Sequence, residues 1–147
     1  MIVERILSAA RERLITIGAD APLIAAATLL RDPDKDIVVV RDSENVLAGV
    51  ITKTDIVRQI SHCQGAGCMA AASAVMTQAV VYCRPDSLLH EIWMVMKERH
   101  LKNVPILDPT SRPIGVLNAR DALEALLGER EYEEELLREY VMCVGYH

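Results

Sequence analysis

Two aspartates are marked out by type and spacing. Residues 49–55 read GVITKTD, and residues 115–121, 66 positions on, read GVLNARD. Each phrase keeps a glycine, two apolar residues, a short polar residue and an aspartate three places later. Thr52 and Asn118 occupy the place of a helix N-cap, where a side-chain oxygen takes an otherwise unpaired backbone N–H. Asp55 and Asp121 then fall one turn inside the helix. A helix N-terminus offers free N–H groups and partial positive charge to an anion such as phosphate. A carboxylate beside it can accept from two vicinal hydroxyls, as acids in nucleotide-binding folds do with ribose. The same letters also describe a structural unit, because Thr-x-x-Asp resembles a capping box. The two readings are compatible, since the cap needs only one lone pair of the threonine hydroxyl.

The elements that must position these groups are doubled as well. Gly49 and Gly115 allow close backbone approach or an unusual dihedral angle. Upstream lie two apolar runs, IVVV at 37–40 and NVPI at 103–106, each read as a buried strand and each able to face a flat base. Turn-rich letters (RDSEN, DPTSR) separate each run from its glycine phrase. A helical face precedes each run. It is Leu88, Ile92, Val95 and Met96 in the second half, and Leu23, Ala27 and Leu30 in the first, a shift of 65 rather than 66. Asp20 before Pro22, and Asp86-Ser87, read as start signals for these helices. LITI (14–17) and AVVY (79–82) supply a leading strand to each half. The predicted fold class is α+β: two β-α-β-β-α repeats packed with internal pseudo-two-fold symmetry, plus a C-terminal helix. A unit of this size buries its apolar faces poorly alone, so two copies must share a core. The expected division is 1–62 for the first repeat with an N-terminal helix, 63–74 for a linker loop, 75–128 for the second repeat and 129–147 for an amphipathic helix.

Composition narrows the function classes. The 147 residues carry 16 basic and 21 acidic side chains, a net charge of −5, which disfavours non-specific binding to nucleic acid or anionic lipid. The N-terminus is charged throughout and the longest nearly apolar run, 21–30, is too short to span a bilayer. Four cysteines in a chain able to bury a core do not form a secreted disulfide pattern, so a reduced, cytoplasmic setting is expected. The four histidines have no base-and-orienter spacing, and no nucleophile elbow, P-loop or paired-acid arrangement occurs, so no catalysis is expected.

The doubled pattern resembles a tandem pair of CBS domains, the cystathionine β-synthase modules that act as regulators. The resemblance runs from residue 3 to about 127 and rests on order, spacing and duplication, above all VVYCRPDSLLHEIWMVMKERHLKNVPILD followed by PIGVLNARDAL. It implies an adenine-nucleotide-binding sensor (AMP, ADP or ATP, with S-adenosylmethionine or NAD as further ligands) and no obligatory cofactor. It also implies a homodimer that acts on an unidentified regulated protein. The family phrase, Gly-apolar-apolar-Ser/Thr-x-x-Asp, is matched fully by Gly49, Thr52 and Asp55. Gly115 and Asp121 match it too, but Asn118 replaces the hydroxyl residue. Thr16 stands where the family places a polar ligand contact. Val38, Val104 and Pro105 lie on the strands that would flank a base, and Lys53, Lys102, His100 and Arg120 are the cations at hand for phosphate. Asp36 stands opposite Lys102 in the repeat, so the two clefts should differ in charge, which favours one nucleotide per chain.

Two other readings follow from the residues. A ligand-free dimerisation or scaffold module would use Asp55 and Asp121 as caps only. A metal or redox site at His62, Cys63 and Cys68, with Cys83 as fourth ligand, is weakened by the missing second C-x2-C pair, and an interdomain loop is expected there instead. Beyond the repeats, Tyr132, Leu136 and Tyr140 form an i, i+4, i+8 stripe, with Leu137 and Val141 beside it. That stripe suits packing on its own module, across a dimer or onto a partner.

Overall fold

A computed structural model describes residues 1–63 and 69–145, the side chains of 63 and 140–145 apart. The Cys63–Cys68 metal reading and the Tyr140 and Val141 end of the C-terminal stripe therefore lie outside the described residues.

The chain opens with a 3-10 turn, Val3–Ile6, that runs into helix α1, Leu7–Arg13. The first half continues as β1 Thr16–Gly18, α2 Leu23–Leu29, β2 Ile37–Arg41, β3 Leu47–Thr52 and α3 Lys53–Cys63. A four-residue helix, α4 Ala72–Val75, leads into the second half, which comprises α5 Leu89–Arg99, β4 Asn103–Leu107, β5 Pro113–Asn118 and α6 Ala119–Gly145. The fold is α+β, with one sheet ordered β1-β2-β3 and a second formed by β4-β5.

The two hairpins repeat with a constant offset of 66. Ile37 pairs with Thr52 and Asn103 with Asn118, and the register slips at Val40/Arg41 and again at Ile106/Leu107. Their turns match in detail. The Asp42 carboxylate accepts from the N–H groups of Glu44 and Val46, and the Asp108 carboxylate from those of Thr110 and Arg112. Asn45 and Ser111 take the left-handed conformation at equivalent positions, with φ of 65° and 66°. Such turns are what short polar residues supply by bonding to the backbone two residues on.

The helices keep the same offset, which corrects the shift of 65. The inward residues are Leu23 and Ala26 on α2 with Leu30 at its C-cap, and Leu89, Ile92 and Met96 on α5, while Leu88 is half exposed. Asp20, Asp86 and Ser87 do not cap these helices: the N-cap residues are Pro22 and Leu88, with no side-chain cap bond. The leading N–H groups go instead to the opposite half's leading segment. Leu23 N–H donates to the Ala70 carbonyl at 2.7 Å, and Leu89 N–H to the Met1 carbonyl at 2.9 Å. Ladder bridges Pro22–Ala71 and Ile2–Leu88 run alongside them.

The expected strand at 79–82 does not form, and only a single parallel bridge, Cys83–Ile106, replaces it. Val39 N–H donates to the Ile15 carbonyl in the first sheet, but Pro105 stands at the equivalent place in β4. Proline has no N–H, so one ladder bond is missing from the start. The C-terminal helix is also not separate, because α6 runs unbroken from Ala119 across the expected boundary at 128/129.

Each half has its own apolar cluster, and each cluster borrows from the other half's leading segment. Val3, Leu7 and Ala10 pack with Leu89, Met96 and Leu117, while Ala72 packs with Leu23 and Ile51. The glycines make this exchange possible. A Cβ on Gly49 would lie 2.7 Å from the Thr77 carbonyl oxygen, and one on Gly115 would lie 3.1 Å from Ala10. A third cluster, Ile37, Val39, Val50 and Val116, joins the two sheets.

Candidate functional site

The segment after β3 folds as the sequence pattern requires. Thr52 N–H donates to Asp55 Oδ2 at 2.9 Å, and Asp55 N–H donates to Thr52 Oγ1 at 3.3 Å. This reciprocal pair fixes the first turn of α3 and sets the carboxylate at the helix N-terminus. Among the described residues, the polar partner recorded for Asp55 Oδ1 is Arg58 Nη1, at 4.0 Å across one turn of helix. It is therefore available to accept from a diol.

Asp55 opens onto a cleft of about 570 Å³ between the halves, a size suited to a small organic ligand. Thr52, Lys53 and Asp55 form one wall; Thr77, Ala79, Val80 and Val81 form another; Arg99, His100 and Lys102 form the rim, with Pro105 behind them. Ile37 and Val50 add apolar surface from the first half. Lys53 Nζ lies 3.9 Å from Asp36 Oδ1, with both groups close to half exposed, so this pair is weak and easily exchanged for another anion. The cleft therefore combines a carboxylate oxygen open to a ligand, an apolar slot and three cations, Lys53, Arg99 and Lys102, with Asp36 beside them.

A second cavity, of about 420 Å³, is lined by Arg13, Pro33, Asp34, Asp36, Lys102, Asn118, Ala119 and Arg120. Shifted by 66, Arg13 becomes Ala79, Pro33 becomes Arg99, Asp34 becomes His100 and Asp36 becomes Lys102. The two cavities are thus pseudo-symmetry mates that differ in furnishing. Asp34 and Asp36 of the second answer His100 and Lys102 of the first, although Asp36 lines the first as well and Lys102 the second. Asn118 accepts the Arg120 N–H at 2.9 Å and donates to Asn103 Oδ1 at 3.1 Å. Asp121 lies behind the Arg13 guanidinium, which donates to both carboxylate oxygens at 2.6 and 3.1 Å. That contact raises the Arg13 pKa further above its ordinary value, chiefly through the hydrogen bonds to Asp121.

Of the residues singled out from sequence, Thr52, Lys53, Asp55, Lys102 and Pro105 meet in the first cleft, and Asn118, Arg120 and Lys102 line the second. Others line neither of these two cavities. Thr16 accepts from Arg41 Nε at 3.3 Å, and Val38 and Val104 are fully buried. Gly49 and Gly115 lie beneath the exchanged segments. The cleft at Asp55 is completed by residues 77–81 of the second half, not by the strand that carries Thr16. Sequence reasoning missed Arg13, Ala79 and Arg99. The offset of 66 carried past the glycine phrase would have flagged Arg13 opposite Ala79. Among the described residues no group of three or more His, Cys, Asp or Glu is arranged to hold a metal ion.

Comparison with known proteins agrees with this architecture. The CBS domain family matches residues 3–62 and again 72–128. A CBS-domain-containing protein from Agrobacterium tumefaciens is 26% identical, with a TM-score of 0.72 over 85% of this chain and 98% of that one. CBSX2, solved in complex with AMP, is 19% identical with a TM-score of 0.74 over 88% of this chain and 98% of its own. The CBS domain pair of MJ0100, solved with 5′-methylthioadenosine and S-adenosyl-L-methionine, is 20% identical with a TM-score of 0.71, again over 88% and 98%. At these identities the last two establish likeness of fold. A homoserine O-acetyltransferase of Methanosphaera stadtmanae is 26% identical over 120 residues, and the chain spans 24% of that relative's length.

Proposed function

The chain belongs to the CBS domain family, and from that premise we propose that it is a non-catalytic sensor binding one adenine nucleotide in the cleft at Asp55. The observation that carries this reading is the free Asp55 Oδ1 at a helix N-terminus, facing an apolar slot rimmed by Lys53, Arg99, His100 and Lys102. The carboxylate suits a ribose diol, the slot between Ile37, Val50, Val81 and Pro105 suits a base, and the cations suit phosphate. That excess of positive charge favours AMP, ADP, ATP or NAD over the sulfonium of S-adenosylmethionine. The AMP complex of CBSX2, on a similar fold, supports the same ligand class.

The sensor acts as a homodimer on a regulated protein in the cytoplasm. Ile24, Val57 and Ile60 are exposed on α2 and α3, as are Met94, Leu123 and Leu127 on α5 and α6, and these are the faces a second copy would cover. No described helix is long and apolar enough to cross a membrane. A ligand changes such an assembly only by binding one of its arrangements more tightly than another.

The reciprocal Thr52–Asp55 bonds favour a second reading, a ligand-free dimerisation module in which Asp55 is a cap only. Thermal shift with AMP, ADP, ATP, NAD, NADH and S-adenosylmethionine, with and without zinc, separates the two. Stabilisation by a phosphorylated nucleotide that is lost in Asp55→Ala is the expected result. No shift with any ligand, in a protein that is dimeric by light scattering, would leave only the scaffold.

A further inference from the structure

The Arg13–Asp121 pair lies outside the nucleotide reading and bears on how many sites the chain has. Arg13 is the last residue of α1 and donates from Nε to Asp121 Oδ2 and from Nη2 to Asp121 Oδ1. A guanidinium fork of this kind takes up both carboxylate oxygens, the same two atoms that a vicinal diol would use. The helix that delivers it packs on the second half, with Ala10 against Gly115 of β5 and Leu7 and Ala10 in that half's core. Both side chains are partly withdrawn from solvent, at 31% and 22% exposure. Asp34 and Asp36 line the same cavity, and their charges add weakly to the preference of Arg13 for its charged form. At the equivalent position in the first cleft is Ala79, whose methyl group reaches no carboxylate, and Asp55 keeps an oxygen free there.

We infer that Arg13 is a built-in ligand of Asp121, occupying the diol position of the second cleft and holding the chain to one nucleoside site instead of two. The inference rests on the reading of Asp55 as a ribose-binding carboxylate. It also fixes the chemistry of the cleft that Arg13 closes. With Arg13 removed, Lys102 and Arg120 on that cavity face Asp34, Asp36 and the freed Asp121, so it lacks the first cleft's excess of positive charge and suits an uncharged nucleoside better than a phosphorylated one.

The test is calorimetric titration of the full chain with adenosine and with AMP, comparing wild type, Arg13→Ala, Arg13→Gln, Asp121→Ala and Arg13→Ala/Asp121→Ala. The expected result is one more adenosine site per chain in Arg13→Ala than in wild type, absent from the double variant. AMP should gain less at the new site than adenosine. Asp121→Ala alone should leave wild-type binding unchanged. Arg13→Gln keeps much of the arginine stem and serves if Arg13→Ala fails to fold, as judged by circular dichroism. An unchanged site number in a folded Arg13 variant overturns the inference. So does a wild type that already binds two equivalents and loses one in Asp121→Ala, because the ion pair would then yield to the ligand. A wild type with no site, beside an Arg13 variant with one, sinks the Asp55 reading and the count of one site with it, and leaves only the block of Asp121 by Arg13.

Discussion

The clefts at Asp55 and Asp121 are the same construction made twice, with the same hairpin register, the same glycine beneath the other half's leading segment and the same aspartate one turn into a helix. They differ in what the leading segment carries across. Residues 77–81 bring Thr77, Ala79 and two valines to Asp55, all short or apolar, and the carboxylate stays accessible. The α1 segment brings Arg13 to Asp121, and the carboxylate is spent on it. In a duplicated fold, then, the identity of a site is decided by residues contributed from the opposite copy. The shared phrase supplies only the acid.

The largest expected effect comes from making the first cleft resemble the second. Ala79→Arg sets a guanidinium opposite Asp55, as Arg13 is set opposite Asp121. Two charge-assisted hydrogen bonds would then have to break before a diol could bind, each worth about 1.5–3 kcal/mol. Nucleotide affinity should fall roughly 100-fold or more by calorimetry, since each 1.4 kcal/mol is a factor of about ten. Undiminished affinity in a folded Ala79→Arg protein would mean that a guanidinium on this wall does not reach Asp55, and the explanation of the asymmetry would go with it.

Next in size is the contrast between the two acids themselves. Asp55→Ala should weaken nucleotide binding by roughly 10- to 150-fold, the loss of one hydrogen bond to a charged group. Asp121→Ala should change it by less than about twofold. Asp55→Ala also removes half of a capping box, worth about 1 kcal/mol, so a fall in Tm of about 2–4 °C is expected with it. Equal losses from both variants would abolish the distinction between the clefts.

The glycines sharpen the comparison at the level of packing. On Gly49 a Cβ meets the Thr77 carbonyl oxygen at 2.7 Å and the Met76 sulfur at 2.8 Å, whereas on Gly115 it meets Ala10 at 3.1–3.2 Å. Backbone held in a two-bond bridge with Val50 cannot retreat easily, but a seven-residue helix can move by tenths of an ångström. Gly49→Ala should cost about 1–3 kcal/mol in urea unfolding, and Gly115→Ala less than half of that.

These effects also mark where sequence reasoning reached and where it stopped. The hairpins, the capping box and the doubling itself were legible because their determinants lie within a few residues: Asp42 with Val46, Thr52 with Asp55. The exchange of leading segments was not, because an offset of 66 looks the same whether a segment packs on its own half or on the other. Thr16 was therefore assigned to a cleft that residues 77–81 complete. Arg13 escaped for a related reason. Its partner is 108 residues away, and the residue that repeats its position is an alanine, with no side chain to invite comparison. The lost strand at 79–82 had a visible cause in Pro105. Its consequence depended on register, which aligned Pro105 with Val39, the residue whose N–H makes the bond in the first half.

The smallest effect expected belongs to another pair of mates, Ile17 and Cys83. Both are buried, but only the second half carries a titratable group there. Burial pushes the Cys83 thiol from an ordinary value of 9.0 up to about 12. The folded state therefore holds the proton more tightly than the unfolded chain. Its contribution to stability is whole below about pH 9 and is lost as pH rises toward 12. One proton released on unfolding gives a slope approaching 1.4 kcal/mol per pH unit once the free thiol is ionised. Between pH 8 and 9.5 the loss is about 0.8 kcal/mol by the same relation. Urea unfolding of wild type and Cys83→Ala at both pH values isolates it, because the remaining cysteines and the tyrosines are common to both proteins and cancel in the difference. Wild type should lose that amount relative to the variant over the interval. A constant difference would mean that the thiol ionises as readily inside the second half as outside it, and that this half is no more sensitive to alkali than the first.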